Sequence, residues 1–531
     1  MIALRLLGCL FLWIALLFEG KRYLHMLQLE GYKNFGYLRW MGRNLLRIFF
    51  ENWPIYLFVA SVNFLSIREI FILLIWVATL FLTWFIKLKR RGEVKRPLVF
   101  TWRAIRTFIT FMGLGVLLSF LAFGHLFEYT HFLISLGLIF LLSPLIMLLS
   151  NFFLIPVEAL VQSYYLGSAR RKIRRLDRLL TIGITGSYGK TSTKHFMATI
   201  LSERYNVLMT PGSYNTLMGV TRVIRESLGE EHEIFICEMG ARYRGDIRDL
   251  ARLTLPKMGV ITSIGPQHLE TFGSIDNIIK TKFELVEELP PDGVVVLNGD
   301  NEYCFNHAYA FAGGRRVLFY GYEKVTPDFY VWAEDIKVTS KGSEFTVKTV
   351  DGREFRCHTL LLGRHNISNI LAAIAVALEL GLTPKEIVRG VRRLEPVPHR
   401  LQIIRTAAGV TVIDDTFNSN PVGVREALAC LREMDGGKKI VVTPGMVELG
   451  EIEYEENKKL GGLLAEVCDH VILVGKKRSK PIFEGLLEAG FPEDKVKVVS
   501  SLKEAKAYIS GILRAGDIVL FENDLPDNYG E

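Results

Sequence analysis

The stretch Leu179–Ser192, LLTIGITGSYGKTS, decides the reading of this chain. Leu179–Thr185 is a short apolar run rich in β-branched residues, which predicts a buried strand. Gly186–Ser192 (GSYGKTS) is a glycine-bearing turn, and Thr193–Leu201 continues as a helix. Strand, glycine turn and Lys-Thr at a helix start is the arrangement that cradles nucleotide phosphates. The nucleotide-binding set is therefore Gly186, Ser187, Gly189, Lys190, Thr191 and Ser192. The glycines let backbone N–H groups point at an anion, Lys190 brings a point charge, and the Thr191 hydroxyl suits Mg2+. The longer P-loop spacing would put glycine at Ile184, so the form present is the shorter T-G-x-x-G-K-T.

Working outward, Ile234–Cys237 reads as an apolar strand ending in Glu238. A carboxylate at the end of a parallel strand beside a phosphate loop can hold a metal ion, although an acidic residue after a strand is commonly just solvated. Val260–Ile264 repeats the strand pattern and runs into Gly265–Glu270 (GPQHLE). His268 then lies on the edge where open α/β sheets bind ligands, whereas a lone histidine is more often structural. Tyr330–Thr349 alternates apolar and polar residues, which predicts an antiparallel hairpin. Around Val397-Pro398 the chain crosses a hinge. Strand signals at Val410–Ile413, Ile440–Thr443, Val471–Val474 and Ile518–Phe521 then alternate with helical stretches, as in a smaller doubly wound domain.

Together these residues resemble the Mur ligases, and most of all the MurF subtype, which adds D-alanyl-D-alanine to UDP-N-acetylmuramoyl-tripeptide. The resemblance rests on the T-G-x-x-G-K-T turn, E-M-G after a strand, G-P-x-H-L-E, G-R-H-N-I-S-N and D-D-T-F-N-S-N-P, in order, from about Leu179 to about Lys476. It implies an α/β protein with a P-loop central domain (179–396) and a smaller Rossmann-like C-terminal domain (397–531). It also implies an ADP-forming, acid–amino-acid ligase that uses ATP and Mg2+ and passes through an acyl phosphate in envelope precursor synthesis. By the same resemblance Lys190 and Thr191 hold phosphates and metal, Glu238 and His268 complete the metal sites, and Lys282 is the lysine that becomes a carbamate. A carbamate needs a neutral amine, so Lys282 must be depressed in pKa; the bland alternative is a lysine on a helix surface. Asn366 and Asn369 match the adenine contacts, Arg400 the γ-phosphate arginine, and Asp415 the ribose position. For Asp414, Asp415 and Asn418–Pro421, ordinary turn chemistry is the competing account. Phe417 stands where many such chains have Tyr, and the C-terminal FENDLPDNYGE replaces a basic Gly-Ser-Arg segment.

The first 178 residues have another character. The 531-residue chain carries a net charge of +8, and residues 1–166 alone hold 16 Lys and Arg against 7 Asp and Glu. Five apolar stretches lie among these charges: Ile2–Phe18, Ile48–Leu65, Ile70–Ile86, Thr107–Phe127 and Phe132–Ile155. The second, with Glu51, Asn52 and Pro54 near its start, has an interfacial helix as its lesser alternative. The basic segments Lys21–Arg47 and Lys87–Arg106 predict an all-α, multi-pass region of the cytoplasmic membrane with an outside N-terminus and the rest of the chain in the cytoplasm. Membrane lipid is thus an expected partner and nucleic acid is not. The expected substrates are a cell-wall peptide or lipid-linked precursor bearing the carboxylate, and an amino-acid or dipeptide amine. Because membrane helices stand where the family grips its uridine nucleotide, the carboxylate is expected to be membrane-presented. A ligase for another envelope polymer and a non-catalytic membrane scaffold remain as alternatives. An ATP-driven transporter lacks its LSGGQ-type signature here, and six scattered cysteines without a C-x-x-C pair argue against zinc or a disulfide framework.

Overall fold

A computed structural model describes residues 2–62, 67–89, 97–124, 128–323, 325–339, 342–416 and 419–523. The chain forms two compact units, Met1–Ser163 and Tyr164–Leu525.

The first unit is wholly helical among its described residues. Four helices are long and apolar enough to cross a membrane: Ile2–Leu29, Glu69–Lys89, Trp102–Phe123 and Ser143–Arg175, the last running on into the second unit. The stretch Ile48–Leu65 breaks at Asn52 into the short helices Leu45–Glu51 and Trp53–Ser61. Phe132–Ile155 is also two helices, because Ser143-Pro144 opens a new one after Tyr129–Leu141 and the residue before a proline resists helical geometry. Large apolar side chains such as Phe18, Leu74, Phe81 and Phe152 point outward. Charges point inward and are paired. Lys87 Nζ bonds Glu19 at 2.8 Å and Asn52 Oδ1 at 2.8 Å, and Glu51 takes Arg47 at 3.0 Å and Arg22 at 2.5 Å. These bonds, with Gln28 to the Val99 carbonyl and Arg106 to Glu158, gather the basic segments at one end of the bundle. Arg5, Phe123 and Tyr129 meet near Leu4 at the other. Trp53–Ser61 therefore starts at the level where Glu69–Lys89 ends.

The second unit holds two sheets. Its first has β1 (Leu180–Thr185), β2 (Val207–Met209), β3 (Ile234–Glu238), β4 (Met258–Ile261), β5 (Val294–Asn298), β6 (Arg316–Gly321), β7 (Phe329–Thr339), β8 (Gly342–Thr349) and β9 (Glu354–Thr359). Their order is β2-β3-β1-β4-β5-β6-β7-β8-β9. Pairing is parallel from β2 to β7 and antiparallel across β7, β8 and β9, so the expected hairpin is present and gains a third strand. Helix Arg364–Glu379 packs on strands β5, β6 and β7 and against helix Lys190–Leu201, which covers β1, β2 and β3 beside it, with Ile370–Leu378 buried throughout. A helix apolar on every side must be covered on every side. The second sheet, β10 (Gln402–Arg405), β11 (Thr411–Asp415), β12 (Lys439–Thr443), β13 (His470–Val474), β14 (Val496–Val499) and β15 (Ile518–Glu522), is ordered β10-β11-β15-β12-β13-β14. Only its β10 edge runs antiparallel.

In the first sheet β1 sits between β3 and β4. The chain leaves β1 toward one side and returns on the other, and such a switch point opens a crevice at the carboxyl ends of the strands. Gly186, Glu238 and the Thr262–His268 loop all stand at that crevice.

Candidate active site

The phosphate loop is built by close approach. Gly189 has φ +78°, and a Cβ there would lie 2.4 Å from Asn369 Oδ1. At Gly186 (φ +148°) a Cβ would lie 2.1 Å from Thr262 Oγ1. Neither position admits a side chain. Ser187 clamps the loop to the strand β4 side, its N–H donating to Ser263 O at 2.6 Å and its hydroxyl to Gly265 O at 2.9 Å. Helix Lys190–Leu201 begins with no side-chain cap, so its first N–H groups, Thr191 and Ser192 among them, are left to an anion. Lys190 Nζ bends back onto Gly186 O (2.7 Å) and Ser187 O (2.9 Å). Burial, helped by Arg400 and opposed by Glu238, lowers its pKa to about 8.

Glu238 ends β3 almost fully buried and is doubly held, by Lys194 Nζ at 3.0 Å and Asn215 Nδ2 at 2.9 Å. Burial pushes its pKa up, but Lys194 and Lys190 outweigh that and hold the carboxyl below its usual range. It is an ionised acceptor beside the phosphate loop. His268, at φ +55°, bonds through Nδ1 to Glu448 of the loop after β12. Burial keeps its ring toward the neutral form against the pull of Glu448.

Lys282 is 3% exposed, in the buried face of helix Ile275–Glu287. Burial and the nearby Lys190 push its ammonium well below the ordinary lysine range. The surface-lysine account therefore fails for Lys282.

Arg400, from the link between the two sheets, is half-buried near Asp415, Glu238 and Glu522, and desolvation lowers its pKa against the pull of these three carboxyl groups. Arg400 lies near enough to Glu238 and Lys190 to act on their charge, and the His268–Glu448 bond also joins groups from the two sheets beside the phosphate loop. Arg400 also lines a pocket with Ser192, Phe196, Leu361, Asn366 and Pro396, apolar on most sides. Asn366 faces that pocket. Asn369 does not line it; its Oδ1 accepts from Thr193 at 3.1 Å and buttresses Gly189. Asp415, at the end of β11, accepts from the Leu401 amide at 3.2 Å. Asn420 caps helix Pro421–Glu433 by accepting from Val422 and Gly423, so at this position turn chemistry is real. Phe417 and Asn418 lie outside the described residues.

Sequence reasoning missed Lys194, Asn215, Glu448 and Glu522, and it singled out Ser419 only within the Asn418–Pro421 turn. Lys194 had a signal, since it follows Lys190 by one turn on the same helix face. The others reach the site from distant segments. Among the described residues no three His, Cys, Asp or Glu side chains converge as a metal cage. The donors on hand, a threonine hydroxyl and an ionised carboxylate, suit a hard cation that keeps water and phosphate oxygens.

Comparison with known proteins identifies the family and the fold. The Mur ligase middle domain matches residues 184–377, and the Mur ligase glutamate ligase domain matches residues 399–522. The UDP-N-acetylmuramoyl-tripeptide--D-alanyl-D-alanine ligase of Bacillus subtilis is 32% identical over 343 residues, covering 64% of this chain and 72% of that one. The Escherichia coli enzyme of the same name is 35% identical over 302 residues, covering 56% of this chain and 64% of that one. Among solved structures, MurF from Acinetobacter baumannii superposes with a TM-score of 0.62 at 28% identity, covering 68% of this chain and 77% of that one. MurF from Thermotoga maritima in complex with ADP gives 0.61 at 26%, covering 68% and 80%. The chain thus belongs to the Mur ligase family, the ATP-dependent ligases that form an amide bond and release ADP.

Proposed function

We propose that this chain is a MurF-type ligase of the cytoplasmic membrane that joins D-alanyl-D-alanine, or a similar amine, to a peptide carboxylate presented at the membrane. The observation that carries this is the unit preceding the ATP-binding fold, four apolar helices with outward-facing apolar side chains and paired inward charges. Charges inside an apolar bundle are costly unless paired, and outward apolar faces of this kind suit lipid. Its basic segments gather at one end, which orients that end to the cytoplasm.

In the proposed reaction the substrate carboxylate attacks the γ-phosphorus of ATP, giving acyl phosphate and ADP; the amine then attacks the acyl carbon and phosphate leaves. Catalysis of such a transfer is mostly positioning and charge neutralisation. Gly186, Ser187, Gly189 and Ser192 shape the phosphate cradle, Lys190 and Arg400 neutralise charge from the two sheets, and Asn366 faces the adenine in its apolar pocket. Asn369 holds the loop, and Asp415 receives ribose hydroxyls. Mg2+ would be held by Thr191 and Glu238, with His268 and a carbamate on Lys282 supporting a second ion, and would draw charge from the phosphates. Lys194 and Asn215 keep Glu238 ionised and aimed.

The test is phosphate release by the detergent-purified whole chain given ATP and D-alanyl-D-alanine, with Lys190→Ala as the blank. The reading expects a larger kcat/KM with the lipid-linked tripeptide precursor than with soluble UDP-N-acetylmuramoyl-tripeptide. Equal or better use of the soluble substrate would remove the membrane-presented carboxylate from the account.

A further inference from the structure

Two polar groups at the carboxyl end of the second sheet have no part in the reading above, Glu522 and Ser419. Glu522 is the register partner of Asp415 on the adjacent parallel strands β15 and β11. Their side chains therefore leave the sheet side by side, and the two carboxyl groups lie within hydrogen-bonding reach of each other. Glu522 is 2% exposed. Its Oε1 accepts from the Ser419 hydroxyl at 2.5 Å. Its Oε2 is buried, and among the described residues no N–H or O–H reaches it.

The groups facing the pair come from every surrounding element. They are Arg400 from the link between sheets, His365 from helix Arg364–Glu379, Cys430 from helix Pro421–Glu433, and Ser419. The neighbouring Asn523 is turned away, its amide donating to Gly445 O at 2.7 Å. Arg400 is the one fixed cation in this set, and it also faces Glu238. Two carboxylates in contact have only acceptors to offer each other; one proton placed between them turns repulsion into a hydrogen bond.

We infer that Glu522 is a positioning residue acting as a neutral carboxylic acid, which donates a hydrogen bond to Asp415 and accepts one from Ser419. Burial and the neighbouring Asp415 push in the same direction, raising Glu522 well above the ordinary carboxyl range. The proton stays on Glu522, Asp415 keeps its charge for Arg400, and the Asp415 carboxylate is fixed against the amide of Leu401, which with Arg400 lines the pocket. The consequence for nucleotide binding rests on the ribose role proposed for Asp415, whereas the protonation state does not.

The test uses the full chain in detergent as wild type, E522Q and E522A. An infrared difference spectrum of wild type against E522Q at neutral pH should show the carbonyl band of a protonated carboxyl group, lost in the variant. Calorimetric titration with ADP should find E522Q close to wild type, because the amide still donates and accepts. E522A should bind roughly tenfold more weakly, as expected when a buried polar group loses its partner. Absence of the band, or an E522Q as impaired as E522A, would overturn the inference. Presence of the band in a wild-type chain that binds no ADP would uphold the neutral acid and remove the ribose role of Asp415.

Discussion

Gly189 and Lys282 illustrate how single positions constrain this site. A Cβ at Gly189 would meet Asn369 Oδ1 at 2.4 Å on a backbone at φ +78°. Gly189→Ala should cost about 1–3 kcal/mol of stability and weaken ADP binding at least tenfold, read by thermal melting and calorimetry. A variant that bound ADP as wild type does would mean the loop is not held in this conformation. Lys282 is buried and depressed in pKa. Lys282→Gln keeps a polar side chain one atom shorter and removes any carbamate, so kcat should fall by about 10–100-fold while ADP affinity changes little; an unchanged kcat would strike Lys282 from the mechanism. At this scale the sequence was legible where chemistry is local. The T-G-x-x-G-K-T turn names its own residues, because glycine, lysine and threonine act within one helical turn. Asn215, Glu448 and Glu522 carried no such signal. Each meets a partner through the fold, as Glu448 meets His268 from 180 residues away, and only the paired register of β11 and β15 brings Glu522 to Asp415.

The secondary-structure elements show the same division. β1, β3, β12, β13 and β15 were readable as continuous apolar, β-branched runs, the mark of parallel strands buried on both faces. Short or partly polar strands such as β2 and β14 were not. In the helical unit, run length misled where a local breaker intervened: Ser143-Pro144 cuts one apolar run into two helices, and Asn52 divides another. Helix packing in the second sheet's layer depends on glycine in a way no periodicity reveals. A Cβ on Gly485, in helix Lys480–Glu488, would lie 2.0 Å from the Lys458 carbonyl oxygen of helix Glu453–Val467. Gly485→Ala should therefore force these helices apart and cost about 1–3 kcal/mol, lowering the melting temperature. An unchanged melting temperature would mean that the helices do not approach so closely.

For the whole molecule, the composition divided an apolar, basic part from a balanced one, and the structure places that division at two compact units. Within the second unit the candidate ATP site takes groups from both sheets, with Arg400 half-buried near Glu238 and Lys190 and with Glu448 bonded to His268 and 3.6 Å from Arg242. These bonds tie the second sheet's layer to the first, so Glu448→Ala should lower kcat about tenfold with ADP affinity nearly unchanged, and should speed proteolysis at the link around residue 397. Faster proteolysis without loss of kcat would separate this tie from catalysis. In the proposed reaction a carboxylate oxygen attacks the γ-phosphorus and later leaves with phosphate. This transfer is tested most directly by running one turnover with a heavy-oxygen-labelled carboxylate substrate and weighing the phosphate released. The account predicts one heavy oxygen per phosphate formed, in step with amide product and abolished in Lys190→Ala. Phosphate free of label, formed together with amide, would contradict it.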